Sequence, residues 1–377
     1  AWQAVGEPQR AARLLTALKP AARQAEPGLT PALIFRDSAR IEQQQGQYAL
    51  AREDYGLAMV ASGITPAVPQ DNDSYTRLTR NQATDDWLKR GIRADAADAY
   101  RQQDVTFTLD HDNSASSGTP GYSDFSANTT MAQADMPLYG GHAFLRSDYV
   151  HIDAGTFETS DGSYSEDFGT CSSVACTTDR SQTASGASIA AGWRNDRWNA
   201  DIGTTPLGFE VVDWVGGISY SGDWRQIGWT ATASRRPISS SLLAFAGAKD
   251  PNTGTTWGGV RATGISLSGS YDQGEANGVW SDLSVHQITG KNVEDNQRER
   301  LMAGYYYKLI NEDNRRATIG LNSMLWHYQK DLSGYSLGQG GYYSPQQYFS
   351  LAVPVNYRQR TENWSWQLGG SVSWSDR

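Results

Sequence analysis

The stretch Trp364-Ser365-Trp366-Gln367-Leu368-Gly369-Gly370-Ser371-Val372-Ser373-Trp374-Ser375 alternates with a period of two. Trp364, Trp366, Leu368, Gly370, Val372 and Trp374 share one phase, and Ser, Gln and Gly fill the other. Successive side chains of a strand point to opposite faces, so this segment builds a strand with one apolar and one polar face. The pattern recurs upstream. Leu301, Ala303, Tyr305, Tyr307 and Leu309 are in phase, as are Phe349, Leu351, Val353, Val355 and Tyr357, and Ile265, Leu267, Gly269 and Tyr271.

Working outward from these segments, thirteen strands are expected, starting near Asp104, Tyr122, His142, Ala184, Trp198, Val211, Trp224, Val260, Val279, Gln297, Arg315, Tyr343 and Trp364. Short turn signals separate some of them: Gly140-Gly141, Asn195-Asp196, Gly222-Asp223, Asn277-Gly278, Asp313-Asn314 and Glu362-Asn363. Longer polar loops are expected at 158–185, 242–258, 292–297 and 334–343. Short turns alternating with long loops, joining strands longer than the soluble average, predict an all-β transmembrane antiparallel barrel over 104–377. Such barrels close with an even strand number. An odd count ending on an unpartnered strand therefore predicts further strands beyond Arg377.

Composition agrees with a barrel and excludes other classes. The 377 residues carry a formal net charge of −9, which argues against a nucleic-acid partner. Mean hydropathy is −0.57, and no window resembles an apolar transmembrane helix. Barrel strands alternate, so they average out as polar. Thirteen Trp, 19 Tyr and 38 Gly are present, and most of the aromatics follow Ala94. Cys171 and Cys176 sit in a Ser/Thr/Gly/Asp-rich loop without a third or fourth ligand nearby, which favours a local disulfide over a metal site.

The first hundred residues read differently. Gly6 is followed by Ala11, Leu15 and Leu18, and Gly46 by Ala51, Tyr55 and Ala58, at matching offsets and 40 residues apart. The second copy resembles the second helix of a tetratricopeptide repeat, with Ala51 and Ala58 allowing close helix approach and Tyr55 filling the gap. Ile34, Phe35, Ala39 and Ile41 supply the facing helix. Terminal tetratricopeptide-like repeats are thus expected over 1–70. A helical connector, N-capped by Thr84, is expected over 71–103. Ala1–Leu15 shows no signal peptide, and the chain opens inside a helical pattern, so it reads as an excerpt of a longer protein.

Three stretches carry a family resemblance: Met136-Pro137-Leu138-Tyr139-Gly140-Gly141-His142-Ala143-Phe144, Gly304-Tyr305-Tyr306-Tyr307 and Gly338-Gln339-Gly340-Gly341-Tyr342-Tyr343-Ser344-Pro345-Gln346-Gln347-Tyr348. They resemble the cellulose synthase operon protein C family, the outer-membrane subunits of bacterial cellulose secretion. The resemblance implies a sixteen-stranded barrel behind a long periplasmic tetratricopeptide scaffold. It further implies a nascent β-1,4-glucan as cargo, the inner-membrane cellulose synthase complex as partner of the repeats, and outer-membrane lipid around the barrel.

No catalytic centre is expected. A glycosidase needs two carboxylates held about 5–9.5 Å apart, and nothing marks Asp201 and Asp213, or any other pair, as such. The five His, at 111, 142, 151, 286 and 327, lack paired metal spacing, and no cofactor is expected. Among the aromatics, Trp214, Trp229, Trp364, Trp374 and Tyr357 share the apolar phase and fit an interfacial girdle. Trp280, Tyr306, Trp326 and Tyr348 lie on the polar phase beside Asp282, Asn322, Lys308 and Ser350. Trp280, Asp282, Tyr306, Trp326 and Tyr348 are the candidates for glucan contact, with wall filling as the alternative for the aromatics. The segments 84–102 and 242–258 are candidates for occluding a pore. Competing functions are export of another polymer (poly-N-acetylglucosamine or alginate), a carbohydrate-binding β-domain fused to repeats, and a chaperone-like or adhesin barrel.

Overall fold

In the computed structural model, which describes residues 7–272 and 274–377, the chain divides into a helical unit, through Val105 together with Met136–Gly140 and Arg360–Trp364, and a strand unit made of the remainder. The helices are α1 (Pro8–Gln24), α2 (Leu29–Gln44), α3 (Tyr48–Ala61), α4 (Asn72–Leu78) and α5 (Trp87–Gln103). Among the described residues no helix is long and apolar enough to cross a membrane.

Gly46 adopts φ 77° in the turn between α2 and α3, a conformation that costs glycine nothing. Phe35 and Ala39 of α2 and Ala51, Tyr55 and Ala58 of α3 are buried in one cluster, where three alanines at zero exposure let the backbones come close. Leu88, Ile92 and Ala96 of α5 join that cluster, so the segment expected as a connector shares the core of α2 and α3. Its cap is Asp86, not Thr84: the Asp86 carboxylate accepts from the Lys89 amide at 2.9 Å, the geometry that satisfies a free first-turn N–H. Asp71 does the same for α4, accepting from Ser74 N at 2.7 Å. Gly6 lies outside the described residues. On α1, Ala11 is buried, Leu15 half-buried and Leu18 exposed.

A buried ionic clamp ties α1 to α2 and α3. Lys19 Nζ lies 2.5 Å from Asp54 Oδ2 and also donates to Glu42, which accepts from Ser38 Oγ at 3.1 Å. Burial and the neighbouring Asp54 push the Glu42 carboxyl up. Burial alone would lower the Lys19 ammonium, but hydrogen bonds to Asp54 and Glu42 hold it above its ordinary value.

Among the described residues the strand unit holds thirteen long strands: β1 (Thr106–Ser116), β2 (Phe125–Leu138), β3 (Gly141–Thr156), β4 (Ser181–Arg194), β5 (Trp198–Thr204), β6 (Trp214–Trp224), β7 (Ile227–Pro237), β8 (Thr256–Tyr271), β9 (Asn277–Lys291), β10 (Val293–Asn311), β11 (Arg315–Tyr328), β12 (Tyr348–Arg360) and β13 (Ser365–Asp376). They pair in chain order as one antiparallel meander, and the short Ala248–Lys249 adds a fourteenth strand against β8. Among the described residues β1 and β13 end this order and pair on one side only.

Exposure alternates along the strands. On β9, Asn277, Val279, Ser281, Leu283, Val285 and Gln287 are exposed, whereas Gly278, Trp280, Asp282, Ser284, His286 and Ile288 are covered. The register carries this phase across the sheet: Ile265, Leu267, Leu283, Leu301, Leu321, Leu325 and Val353 all face out. The outer face is therefore apolar, as in a transmembrane barrel wall. Its aromatics pair across strands, as do Trp198 with Tyr220 (4.8 Å), Tyr357 with Trp366 (5.0 Å) and Phe349 with Trp374 (6.0 Å). Trp366 and Trp374 bracket Leu368, Gly370 and Val372 on β13. Eight strand residues span about 27 Å, close to the height of an apolar bilayer band. Trp364 stands in the turn before β13, and Trp229 is half-buried on the outer phase.

Of the segment 292–297, expected as a long loop, all but Asn292 is instead strand. β9 and β10 are joined by Asn292 alone, at φ 51°. Asparagine tolerates that left-handed geometry, and the polar run Glu294-Asp295-Asn296-Gln297 continues the ladder beyond the apolar zone.

Replacing Lys19 with Met leaves Glu42 and Asp54 buried without their cation and is expected to destabilise the helical unit by about 3–5 kcal/mol in chemical denaturation. That unit is also expected to weaken at alkaline pH. The raised Lys19 stabilises fully below its unfolded value of 10.5, and that contribution fades as pH climbs through its higher folded value. Burial likewise raises the phenols of Tyr55 and Tyr75, so above pH 10 ionisation favours the unfolded chain. Circular dichroism against pH reads this loss, and Tyr55→Phe should soften it.

Candidate functional site

Three long connections fold together on the inner face. The β3–β4 loop (157–180), the β7–β8 connection (238–255) and the β11–β12 loop (329–347) share one buried cluster, including Phe157, Phe168, Leu243, Trp257, Leu332 and Tyr342. Phe168–Gly169 pairs in parallel with Tyr335–Ser336, joining the first loop to the third. The middle connection carries α6 (Leu242–Ala246), capped by Ser241, whose Oγ accepts from Ala244 N at 3.1 Å. This helix touches the paired strands β3 and β4 and also β8, which lies four strands further along the sheet, so the wall curls around it. Gly258, at φ 98°, makes the fit possible: a Cβ there would lie 2.3 Å from the Leu243 carbonyl oxygen.

Asp250 bolts the first two connections together. Its carboxylate accepts from Thr170 N (3.0 Å), Thr170 Oγ1 (2.9 Å), Thr253 N (3.1 Å) and Thr253 Oγ1 (2.6 Å). Burial alone would raise this carboxyl, but the donors from Thr253 and Thr170 hold it below the ordinary range. Cys171 and Cys176 form a disulfide within the first loop, both fully buried, with Cα atoms 5.2 Å apart. From the wall, Asn296 Nδ2 donates to Lys330 O at 2.8 Å and to Tyr342 Oη at 3.0 Å. The three connections thus form a packed cap. Of the two segments expected as occluders, 242–258 lies in this cap, whereas 84–102 falls within the helical unit and contributes α5 to its core.

Below the cap the inner wall is polar. On β3 to β7 a recess of about 610 Å³ is lined by Phe144, Arg146, Asp148, Asn199, Asp201 and Arg236. Asp201 takes two 2.6 Å hydrogen bonds from Arg236, and Asp213 pairs with Arg235 (2.6 Å) and Arg261. Both carboxylates are committed to guanidinium partners. Among the described residues no cluster of three His, Cys, Asp or Glu is arranged to hold a metal.

The aromatic candidates form rungs on β9 to β12. Tyr306 stands over Gly278 and donates its hydroxyl to Asp272, which also pairs with Lys308 at 3.0 Å. That hydroxyl is engaged at the short-turn end. One step along, the Trp280 ring lies over Gly304, where a Cβ would meet its Nε1 at 2.2 Å. Trp280 and Asp282 both border a recess of about 590 Å³. Two steps further, Trp326 packs against Tyr348 at 5.3 Å, and the Arg300 guanidinium sits 5.6 Å from its ring centre. Rungs two residues apart are spaced about 7 Å, so aromatic faces recur up the wall over about 20 Å from Tyr306 to Trp326.

Asp250, which joins two of the connections, and Arg298 and Arg300 on the inner wall carry no motif that singles them out in the sequence. Arg298 and Arg300 share the phase of Tyr306 and Lys308 on the strand expected from Gln297, so the alternation places them inside.

The family described as "Cellulose synthase operon protein C C-terminus" matches residues 123–377. The chain is 61% identical over 374 residues to cellulose synthase operon protein C of Escherichia coli (strain K12), covering 98% of this chain and 32% of that protein. The Salmonella typhimurium protein of that name is 60% identical over the same shares, and that of Pseudomonas fluorescens is 34% identical over 68% of this chain and 20% of its own length. The chain therefore spans about a third of the first two relatives. Among solved structures, OmpT of Vibrio cholerae covers 72% of this chain and 86% of its own at a TM-score of 0.33 and 10% identity, a likeness too slight to bear on the wall described above. With two thirds of its length matched by one family and 61% identity to a curated member, this chain belongs to the cellulose synthase operon protein C family.

Proposed function

We propose that the strand unit is an outer-membrane channel that passes a nascent polysaccharide, β-1,4-glucan, outward, with the helical repeats as periplasmic scaffold towards the inner-membrane synthase. One observation carries this reading: the wall is apolar on its outer phase, while its inner phase carries aromatic rungs among hydrogen-bonding side chains. A glucan presents C–H faces and hydroxyl edges, and rings alternating with polar groups suit both. Rungs repeating along the wall hold such a chain at many equivalent positions, so it can slide without a deep well at any one.

With the repeats in the periplasm, β1 ascends, the short turns face the periplasm and the cap faces the exterior. Conduction then requires the three capping connections to part. The cap is held by the Asp250 hydrogen bonds, the Phe168–Tyr335 pairing and the shared apolar cluster, and it can move without breaking the wall's ladder. Export of poly-N-acetylglucosamine or alginate remains the rival reading, and the family of the chain favours cellulose.

Asp250→Ala should loosen the cap: single-channel conductance in planar bilayers rises and loop 157–180 becomes protease-sensitive. Unchanged conductance would contradict the cap's role. Trp280→Ala with Trp326→Ala should lower secreted glucan about tenfold, equivalent to ~1.4 kcal/mol, at normal barrel abundance and heat-modifiable migration. Unaltered output would remove the aromatic rungs from the mechanism.

A further inference from the structure

Three inner-wall arginines are neutralised by carboxylate partners. Arg146 meets Asp148 at 3.0 Å, Arg194 meets Asp135 at 2.8 Å and Arg236 meets Asp201 at 2.6 Å. Arg298 and Arg300 differ. Two residues apart on β10 and on the same inner phase, neither lies within ion-pair distance of a carboxylate among the described residues, and the Nε of each is buried without a hydrogen-bond partner. Asp282, the acidic side chain of the adjoining inner row, stands opposite Met302 and forms no ion pair with them.

Directly across on β9, Ser284 opposes Arg300 and His286 opposes Arg298. Both are more than nine-tenths buried, at 2% and 7% exposure, yet Ser284 Oγ and His286 Nδ1 also have no partner. Four side chains on one face of two strands thus bring two guanidinium forks, a hydroxyl and an imidazole together, one step from Tyr328 of the cap cluster. Two like charges about 7 Å apart in a half-buried wall are costly unless something neutralises them. Planar guanidinium forks match the oxygens of phosphate, and the hydroxyl and imidazole add further donors.

We propose that Ser284, His286, Arg298 and Arg300 form an oxyanion site of the phosphate type on the inner wall beneath the cap. Two arginines suit a dianion, and the four residues supply more donors than a carboxylate can accept. The group bound is either a free anion or a phosphate carried on a saccharide. The site rests on the wall's geometry alone, so its test needs no transport.

The experiment titrates the detergent-solubilised full chain with inorganic phosphate and with glucose 6-phosphate at low salt, by calorimetry. Saturable binding is expected, at least tenfold weaker in Arg298→Gln/Arg300→Gln and unchanged in Arg197→Gln, a turn residue paired with Asp223. Tighter binding of glucose 6-phosphate would identify a sugar-borne group, and equal binding a free anion; either supports the site. Should the double arginine variant misfold by gel migration, Ser284→Ala/His286→Gln takes its place with the same expectation. Absence of saturable binding to the unaltered chain, or equal binding by the altered one, overturns the proposal.

Discussion

A strand that crosses hydrocarbon has no water to satisfy its amides, so every N–H and C=O must find a neighbouring strand. That requirement produces the single meander from β1 to β13, in which each strand pairs with the next in chain order. The period-two geometry of the strand does the rest. It sends Leu283, Leu301 and Leu325 outward, and Trp280, Arg300 and Trp326 inward, from the same backbone. Because the register is continuous, a one-residue slip in any pair would exchange the two faces. Bulges at Ile288/Gly290 and Lys308/Ile310 lie near the strand ends, where a local change of phase does not reach the apolar band.

The cap obeys different physics. It is held as a small soluble core is held, by buried aromatics and by Asp250 drawing on four donors, and it rests on the inner ends of the strands. Wall and cap share few backbone hydrogen bonds: Glu294 N to Gly338 O and Tyr328 N to Pro345 O are two of them. A rigid wall with a separately stabilised cap is what a conduit needs if it is to open without losing its seal in the membrane. The Cys171–Cys176 bond stiffens one of the three connections and leaves the other two to hydrogen bonds and packing.

Periodic features were legible in the sequence and non-periodic ones were not. The strands expected at Trp198 and Arg315 begin on those residues, and the inner phase of Trp280, Tyr306, Trp326 and Tyr348 followed from their alternation with Leu and Val. The cap was not legible, because Phe168 meets Tyr335 and Thr170 meets Asp250 across long separations that leave no local signal. Polar Glu294-Asp295-Asn296-Gln297 was misread because strand continuing above a bilayer has no apolar phase to betray it. The engagement of Tyr306 by Asp272 also needed coordinates, since the partner lies on the preceding strand's turn.

The central claim is that alternate residues of β9 face lipid and lumen. Spin labels test it most directly, introduced singly at 279 to 286 by substitutions such as Leu283→Cys in reconstituted bilayers. Both native cysteines are bonded, so each label is unique. Collision with dissolved oxygen should peak at 279, 281, 283 and 285 and fall at 280, 282 and 284, with a period of two. Uniform collision along the strand, or equal access of all positions to a water-soluble reagent, would contradict the account.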